Sequence, residues 1–577
     1  MISDNMNEES LPLSDFVELP TTVDFQAINS DRFRAYISDK PYIRLGTELA
    51  NNYVVGYTNE KNIQKIFTDL GSDFVTFYPK ILSPLGSKAN DAAGITRVLE
   101  QPFLDLTGRG VIIGFIDTGI DYTAPSFRYE DGSTKILSIW DQTATGERTD
   151  GIYYGAVYTG DKINEALLSE NPYSIVPETD ESGHGTFLAS AAAGNEKGEY
   201  AGAAPGAGII AVKLRRARQY YIDQYLLPAD EPELYEATDF ILGVKYILDA
   251  AYARNMPAVI CIGMGSNSVA HDGNTLLEDY ISFAAQRAGI TFVTAAGNEA
   301  NARHHTQGRI PENDTVETIS INVGRQGESF TVYIFGPAFD KLSLGIVSPT
   351  GEVIPRATLK SGLEYAEKLV LEDTTVYLKF YKDVNNNIIV GFRSATEGIW
   401  EIKLFGDSIV SGEYWAWLPL RGQVGESVEF LKPVPEYTIV YPATAMRAIT
   451  CGAYNSDDNS LYVSSSWGPT RLPRPAPDFV APGVGVKGAI PGGYGSMTGT
   501  SAAAAVASGA AALLMEWGIV RNNLPAMDGD LVRSLLISGC TREASQEYPN
   551  VRWGYGKLNL YGSFLAITEN NINFQIS

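Results

Sequence analysis

The sequence predicts an α/β fold: a parallel sheet with flanking helices, preceded by a small α/β unit and interrupted by an all-β insertion. Three observations carry this expectation. Continuous apolar runs alternate with helix-length patterns between residues 111 and 296, short alternating segments crowd residues 316–432, and the buried-strand style returns at 445–454.

Residues 1–88 read as the first unit. YVVGYT (53–58) and FVTFYP (74–79) are β-rich, and NEKNIQKIFTDLG between them has helical spacing. SPLGSKANDAAG (83–94) is rich in Pro, Gly, Ser and Ala and marks a boundary. A second unit is expected over 89–315. There VIIGFID (111–117), GIIAVKL (208–214), AVICIGM (258–264) and TFVTAA (291–296) read as strands buried on both faces, with ATDFILGVKYILDAAYARN and TLLEDYISFAAQRAG as helices between them. Over 316–432 the segments TISINVG, FTVYIFG, LSLGIVS, TVYLKFY, IIVGFRS, GIWEIKLFG and EYWAWLPL are separated by turn residues, the spacing of a β-sandwich or jelly roll. AMRAITCGAY (445–454) resumes the earlier style, so residues 433–577 are expected to complete the α/β domain around its insertion.

Composition narrows the function. The chain has 577 residues, a net charge of −24, 44% hydrophobic and 19% charged residues. It is too apolar for a disordered chain, and its acidic excess excludes general nucleic-acid binding, which needs surplus Lys and Arg. Cys261, Cys451 and Cys540 are odd in number and far apart, which leaves neither a disulfide framework nor a CxxC metal knuckle. Imidazole chemistry must fall to His184, His271, His304 or His305. The acidic N-terminus lacks a basic region and an apolar core, so no secretory signal is expected and the chain is expected to be made in the cytoplasm. SAAAAVASGAAALLMEW (501–517) falls short of the roughly 18–20 residues needed to cross a bilayer and reads as a buried helix, not a membrane span.

Four local motifs carry chemistry. IDTGID (116–121) places Asp117 at the end of a buried strand, SGHGTFLAS (182–190) opens an Ala-rich helix at His184, AAGNEA (295–300) puts Asn298 just past another buried strand, and MTGTSAAAAVASG (497–509) starts a helix at Ser501. A serine hydroxyl needs a neighbouring base to become a nucleophile, a histidine supplies it, and a buried aspartate fixes the imidazole's tautomer. A helix beginning at Ser501 adds its positive end and the Ser501 N–H to the site of a developing oxyanion, and the Asn298 amide supplies a second donor.

The order Asp, His, Ser, with IDTGID, GHGT, AAGN and GTSAA, resembles the subtilisin-like serine proteases, and TGRGVIIGFIDTGIDY, DFVAPGV (478–484) and WGYGKLN (553–559) match the same pattern. ILSIWDQTATGE, NPYSIVPETDESGHGT, HDGNTLLEDYI and WGIVRNNLP are similar to one subgroup, the clostridial spore-germination Csp proteases. The resemblance implies a subtilisin-like sheet, a prodomain over 1–88 that inhibits and assists folding, and a jelly-roll insertion. It also implies an endopeptidase with Asp117, His184 and Ser501 as triad, Asn298 and Ser501 as oxyanion donors, and Met264, Gly265 and Gly297 at the substrate. No cofactor or metal is implied. The implied partners are the protein's own prodomain and a protein substrate, the precursor of a peptidoglycan cortex hydrolase, and the implied location is the spore.

The sequence departs from the family where Ala502 follows the nucleophile in place of Met, where Ala505 and Val506 stand for Pro-His, and where Phe187 stands for a second His. None removes a catalytic atom. The alternative is a pseudoprotease or germinant-signalling scaffold, which the intact triad disfavours. His271 reads as a surface or hydrogen-bonded residue, His304 and His305 as pocket-lining, Trp415 and Trp417 as core, and Asp121 and Asp141 as carboxylates without the spacing of a calcium loop. Self-cleavage is expected near residues 84–92.

Overall fold

The computed structural model describes residues 11–70, 81–84, 90–196, 200–231, 233–472 and 474–569. The β-rich segment at 74–79 and residues 85–89 of the boundary stretch lie outside them. The first unit is a three-stranded antiparallel sheet of β1 (Thr22–Ile28), β2 (Ile43–Leu49) and β3 (Tyr53–Asn59), with β3 in the middle and the Glu60–Leu70 helix following it. Further on, β4 (Ile81–Pro84) leaves that sheet for another.

The central sheet has eight strands. β5 (Ile112–Asp117) is flanked by β8 (Gly208–Lys213) and β10 (Ala258–Ile262); outside these lie β6 (Ile136–Asp141) with β7 (Ala156–Thr159) on one side, and β12 (Ile290–Ala295) with the Ile449–Tyr454 and Phe479–Pro482 strands on the other. All pairs are parallel except β6–β7. Every residue of β5, β10 and β12 is buried, which explains why they read as unbroken apolar runs without alternation. The Thr500–Met515 helix is buried along its whole length against this sheet, and its Ala and Gly side chains allow that close packing. It continues to Val520 as the one described helix long and apolar enough to cross a membrane, and most of it is inside the protein.

Two antiparallel sheets, of six and five strands, occupy the stretch between the β12 and Ile449 strands. Their facing sides enclose a core that includes Trp400, Phe330 and Phe392. The Gly308–Trp417 region of this sandwich also packs on the first unit: Tyr333, Phe335 and Trp417 share one cluster with Val23, Phe25 and Val54 of the N-terminal sheet.

His271 and His305 hold that junction. Both rings stack on Trp417, with centroids 4.2 and 4.8 Å away, while Nδ1 of His271 meets the Ile439 carbonyl at 2.6 Å. His271 is therefore buried and hydrogen-bonded, not a surface residue. Burial pushes its imidazole down to about 4 and that of His305 down to about 3. Both stay neutral in the folded chain but protonate near 6.5 when unfolded, so the unfolded chain binds more protons below that pH and stability falls as pH drops from about 6.5 towards 4. Each is expected to cost about 2 kcal/mol at about pH 5. Thermal unfolding near neutral pH and at about pH 5 should show a Tm drop that His271→Gln reduces; an equal drop in the variant would contradict this origin.

Candidate active site

The parallel sheet places the candidate residues at the carboxyl ends of its central strands, where an open α/β sheet offers a crevice. Asp117 ends β5 and is 2% exposed. His184 is the first residue of the His184–Ala193 helix and lies with its Nδ1 2.7 Å from Asp117 Oδ1, while Asp117 Oδ1 also accepts the Thr118 N–H. The carboxylate thus fixes the ring from the Nδ1 side, the orientation a histidine base needs.

Helix and strand come this close because residue 185 is glycine. A Cβ there would collide with the Gly119 carbonyl and lie 3.1 Å from Asp117 Cβ. The helix start is then fixed by Asp180, a residue the sequence reading did not single out. Its Oδ1 accepts the Thr118 hydroxyl (2.7 Å) and the Gly183 N–H (2.9 Å), and its Oδ2 accepts both the N–H (2.8 Å) and hydroxyl (2.6 Å) of Thr186. The carboxylate satisfies otherwise orphaned amides at the helix N-terminus and ties them to the residue after Asp117. An acid four residues before the histidine was the available signal. Beneath it Glu178 accepts the Ile120 N–H at 2.9 Å, and burial pushes its carboxyl well above the usual carboxylate range.

Ser501 is the second residue of the Thr500–Met515 helix and is fully buried. Gly499, at φ 149°, turns the chain into that helix through a region open to glycine. The Ser501 hydroxyl donates to the Gly263 carbonyl at 3.0 Å. Gly263 stands against both members of the site: a Cβ on it would lie 3.1 Å from His184 Cε1 and 3.2 Å from Ser501 Cβ. Asn298 Oδ1 accepts the Thr500 N–H at 3.1 Å and the Thr500 hydroxyl at 3.3 Å, an arrangement that turns the amide NH2 away from these donors.

The cleft beside this group is lined by β9 (Tyr235–Glu236) and β11 (Met264–Gly265), and β4 lies between them, antiparallel to both. Pro84 pairs with Met264, Ser83 with Gly265, Leu82 with Tyr235 and Ile81 with Glu236. Gly297, at φ 108°, lies across from Gly265, with Val440 between them. The structure therefore brings Asp117, His184, Ser501 and Asn298 together and sets Met264, Gly265 and Gly297 along one cleft. His304 lies elsewhere, 3.3 Å from Glu299, and Asp121 and Asp141 each cap their own turn through the threonine two residues on. No group of three or more metal-ligating side chains occurs among the described residues.

A buried Asp–His pair, a serine at a helix start and an asparagine amide beside it, at the strand ends of a parallel sheet, define a serine-peptidase arrangement of the subtilisin type. Residues 108–360 and 427–556 match the subtilase family, and the chain belongs to it. It is similar to the CspB protease of Clostridium perfringens, at 32% identity and TM-score 0.73 over 83% of this chain and 97% of that one. It is 27% identical over 237 residues to the PII-type proteinase of Lacticaseibacillus paracasei (40% of this chain) and 31% identical over 147 residues to the serine protease AprX of Bacillus subtilis (22% of this chain). The matched stretches span 11% and 31% of those two curated relatives.

Asp180→Asn would replace one acceptor oxygen by a donor facing other donors. It is expected to lower kcat by about 100-fold through misplacement of His184, and stability by about 2 kcal/mol. Peptide hydrolysis and denaturant unfolding measure the two effects; an unchanged kcat would remove Asp180 from the machinery.

Proposed function

We propose that the chain is a serine endopeptidase that processes itself, and that its protein substrate is the precursor of a spore cortex-lytic hydrolase during germination. The Ser501 hydroxyl turns from the Gly263 carbonyl, gives its proton to His184 Nε2 and attacks the substrate carbonyl. Asp117 stabilises the imidazolium that forms. The oxyanion is held by the Asn298 amide and the Ser501 N–H at the positive end of the helix. His184 then protonates the leaving amine, and water releases the acyl group.

The observation that carries this reading is the lodging of β4, the chain's own segment, as a strand in the cleft beside Ser501. A strand added between two short edges is how an extended peptide is bound by main-chain hydrogen bonds. The first unit is held to the catalytic part by further contacts. Asp24 of β1 is buried and ion-paired with Arg218, which also meets Glu236 at 3.1 Å; Gln26 donates to the Thr238 hydroxyl at 3.1 Å, and the Tyr221 hydroxyl donates to the Asp24 carbonyl. These contacts support residues 1–88 as a prodomain that inhibits by occupying the cleft. The similarity to the CspB protease supports the protease reading; the cortex-hydrolase precursor as substrate and the spore as location follow from the resemblance of the sequence motifs, and the intact triad disfavours a signalling scaffold.

Intact-mass analysis of wild type beside Ser501→Ala tests the reading. The wild type is expected as two fragments and the variant as one uncut chain. Processing of the variant purified alone would overturn self-cleavage.

A further inference from the structure

The His184–Ala193 helix carries the base at its first residue, and its last residue is held by a side chain far from the cleft. A helix leaves its final carbonyls without intrahelical partners. The Gly194 N–H donates to the Ser190 carbonyl at 2.7 Å, and the chain returning at 203–204 serves the next two: the Ala203 N–H donates to Ala191 at 3.0 Å and the Ala204 N–H to Ala192 at 2.8 Å. A further step of this ladder would join residue 205 to Ala193. Residue 205 is proline, which has no N–H to give.

Lys135 fills that place. It stands just before β6 with its side chain buried, and its Nζ donates to the Ala193 carbonyl and, at 2.5 Å, to the Pro205 carbonyl. A cationic group is also favoured at the negative end of a helix dipole. Burial pushes the amine down to about 7, and in either protonation state it keeps the two N–H groups that these carbonyls need.

The Ser501 helix passes the same spot. A Cβ on its Gly509 would lie 2.9 Å from the Ala192 carbonyl and would collide with the Ala203 side chain. The helices that carry base and nucleophile therefore meet where Lys135 binds. From there to His184 the first helix is a stiff rod of about 15 Å. A slide or tilt admitted at Ala193 is delivered to the imidazole, and misplacing a reacting group by about 1 Å costs about 100-fold in rate.

We propose that Lys135 is a positioning residue for catalysis, whose amine supplies the donor that Pro205 lacks and so locks the far end of the helix that carries the base. The inference rests on the proteolytic reading above. Lys135 acts through the helix and touches no substrate.

Two variants test it. Lys135→Met keeps most of the stem and removes the donor, whereas Lys135→Ala removes both and leaves room for n-propylammonium, which restores the missing atoms. Both are expected to hydrolyse peptide with kcat about 100-fold below wild type and KM within about threefold. Added n-propylammonium should raise kcat about tenfold in Lys135→Ala and not in Lys135→Met, while tetramethylammonium, which has no N–H, should do nothing in either. Wild-type kcat in Lys135→Met, or equal rescue by tetramethylammonium, would overturn the assignment and leave the protease standing. A wild type that hydrolyses no peptide would overturn the proteolytic reading and this inference with it.

Discussion

The contact on which the site depends is the approach of the His184 helix to the end of β5. It brings His184 Nδ1 to 2.7 Å from Asp117, and it exists because Gly185 has no side chain to strike the Gly119 carbonyl. Asp180 then closes the joint by binding the helix start and Thr118 together. Ser501 is delivered from the other end of the chain by a helix whose small residues let it lie directly on the sheet. The nucleophile and base are therefore positioned by backbone packing, with little left to side-chain freedom.

The cleft has its own logic. β9 and β11 are two-residue strands whose unpaired edges would be poor structure alone, and β4 completes them as a three-stranded sheet. On the proposed function, one segment serves as inhibitor and substrate analogue. The buried Asp24–Arg218–Glu236 group ties the N-terminal sheet to β9 itself, because Glu236 is also the partner of Ile81. Removing one member would strand a buried charge, which costs more than the pair's own net worth. The sandwich adds Tyr333, Phe335 and Trp417 to an apolar cluster with Val23 and Phe25 of the N-terminal sheet and Tyr221 and Leu234 of the catalytic part, so three parts of the chain share one buried core.

Much of this was legible in the sequence. Asp117, His184, Asn298 and Ser501 each sit in a short motif at the end of an element whose apolar pattern is unambiguous, and the parallel sheet follows from strands that are apolar on both faces. What was not legible depends on contacts between distant segments. Asp180 looks like one acid among several in PETDES, and only the fold shows that its two oxygens serve four donors. In the sequence His271 reads as a surface or hydrogen-bonded residue, and its stacking on Trp417 comes from a strand more than a hundred residues away in the sandwich. Val440 and Gly263 belong to no motif, and their meaning comes from what stands beside them.

The central claim is that Asp117, His184 and Ser501 act as one working group. The most direct measurement is the rate at which a small fluorophosphonate labels the processed protein, with the modified residue located by peptide mass. Labelling at Ser501, one group per chain, and slowed at least 1,000-fold by His184→Ala, is the predicted result. Equal labelling of wild type and His184→Ala, or modification at another serine, would contradict the account.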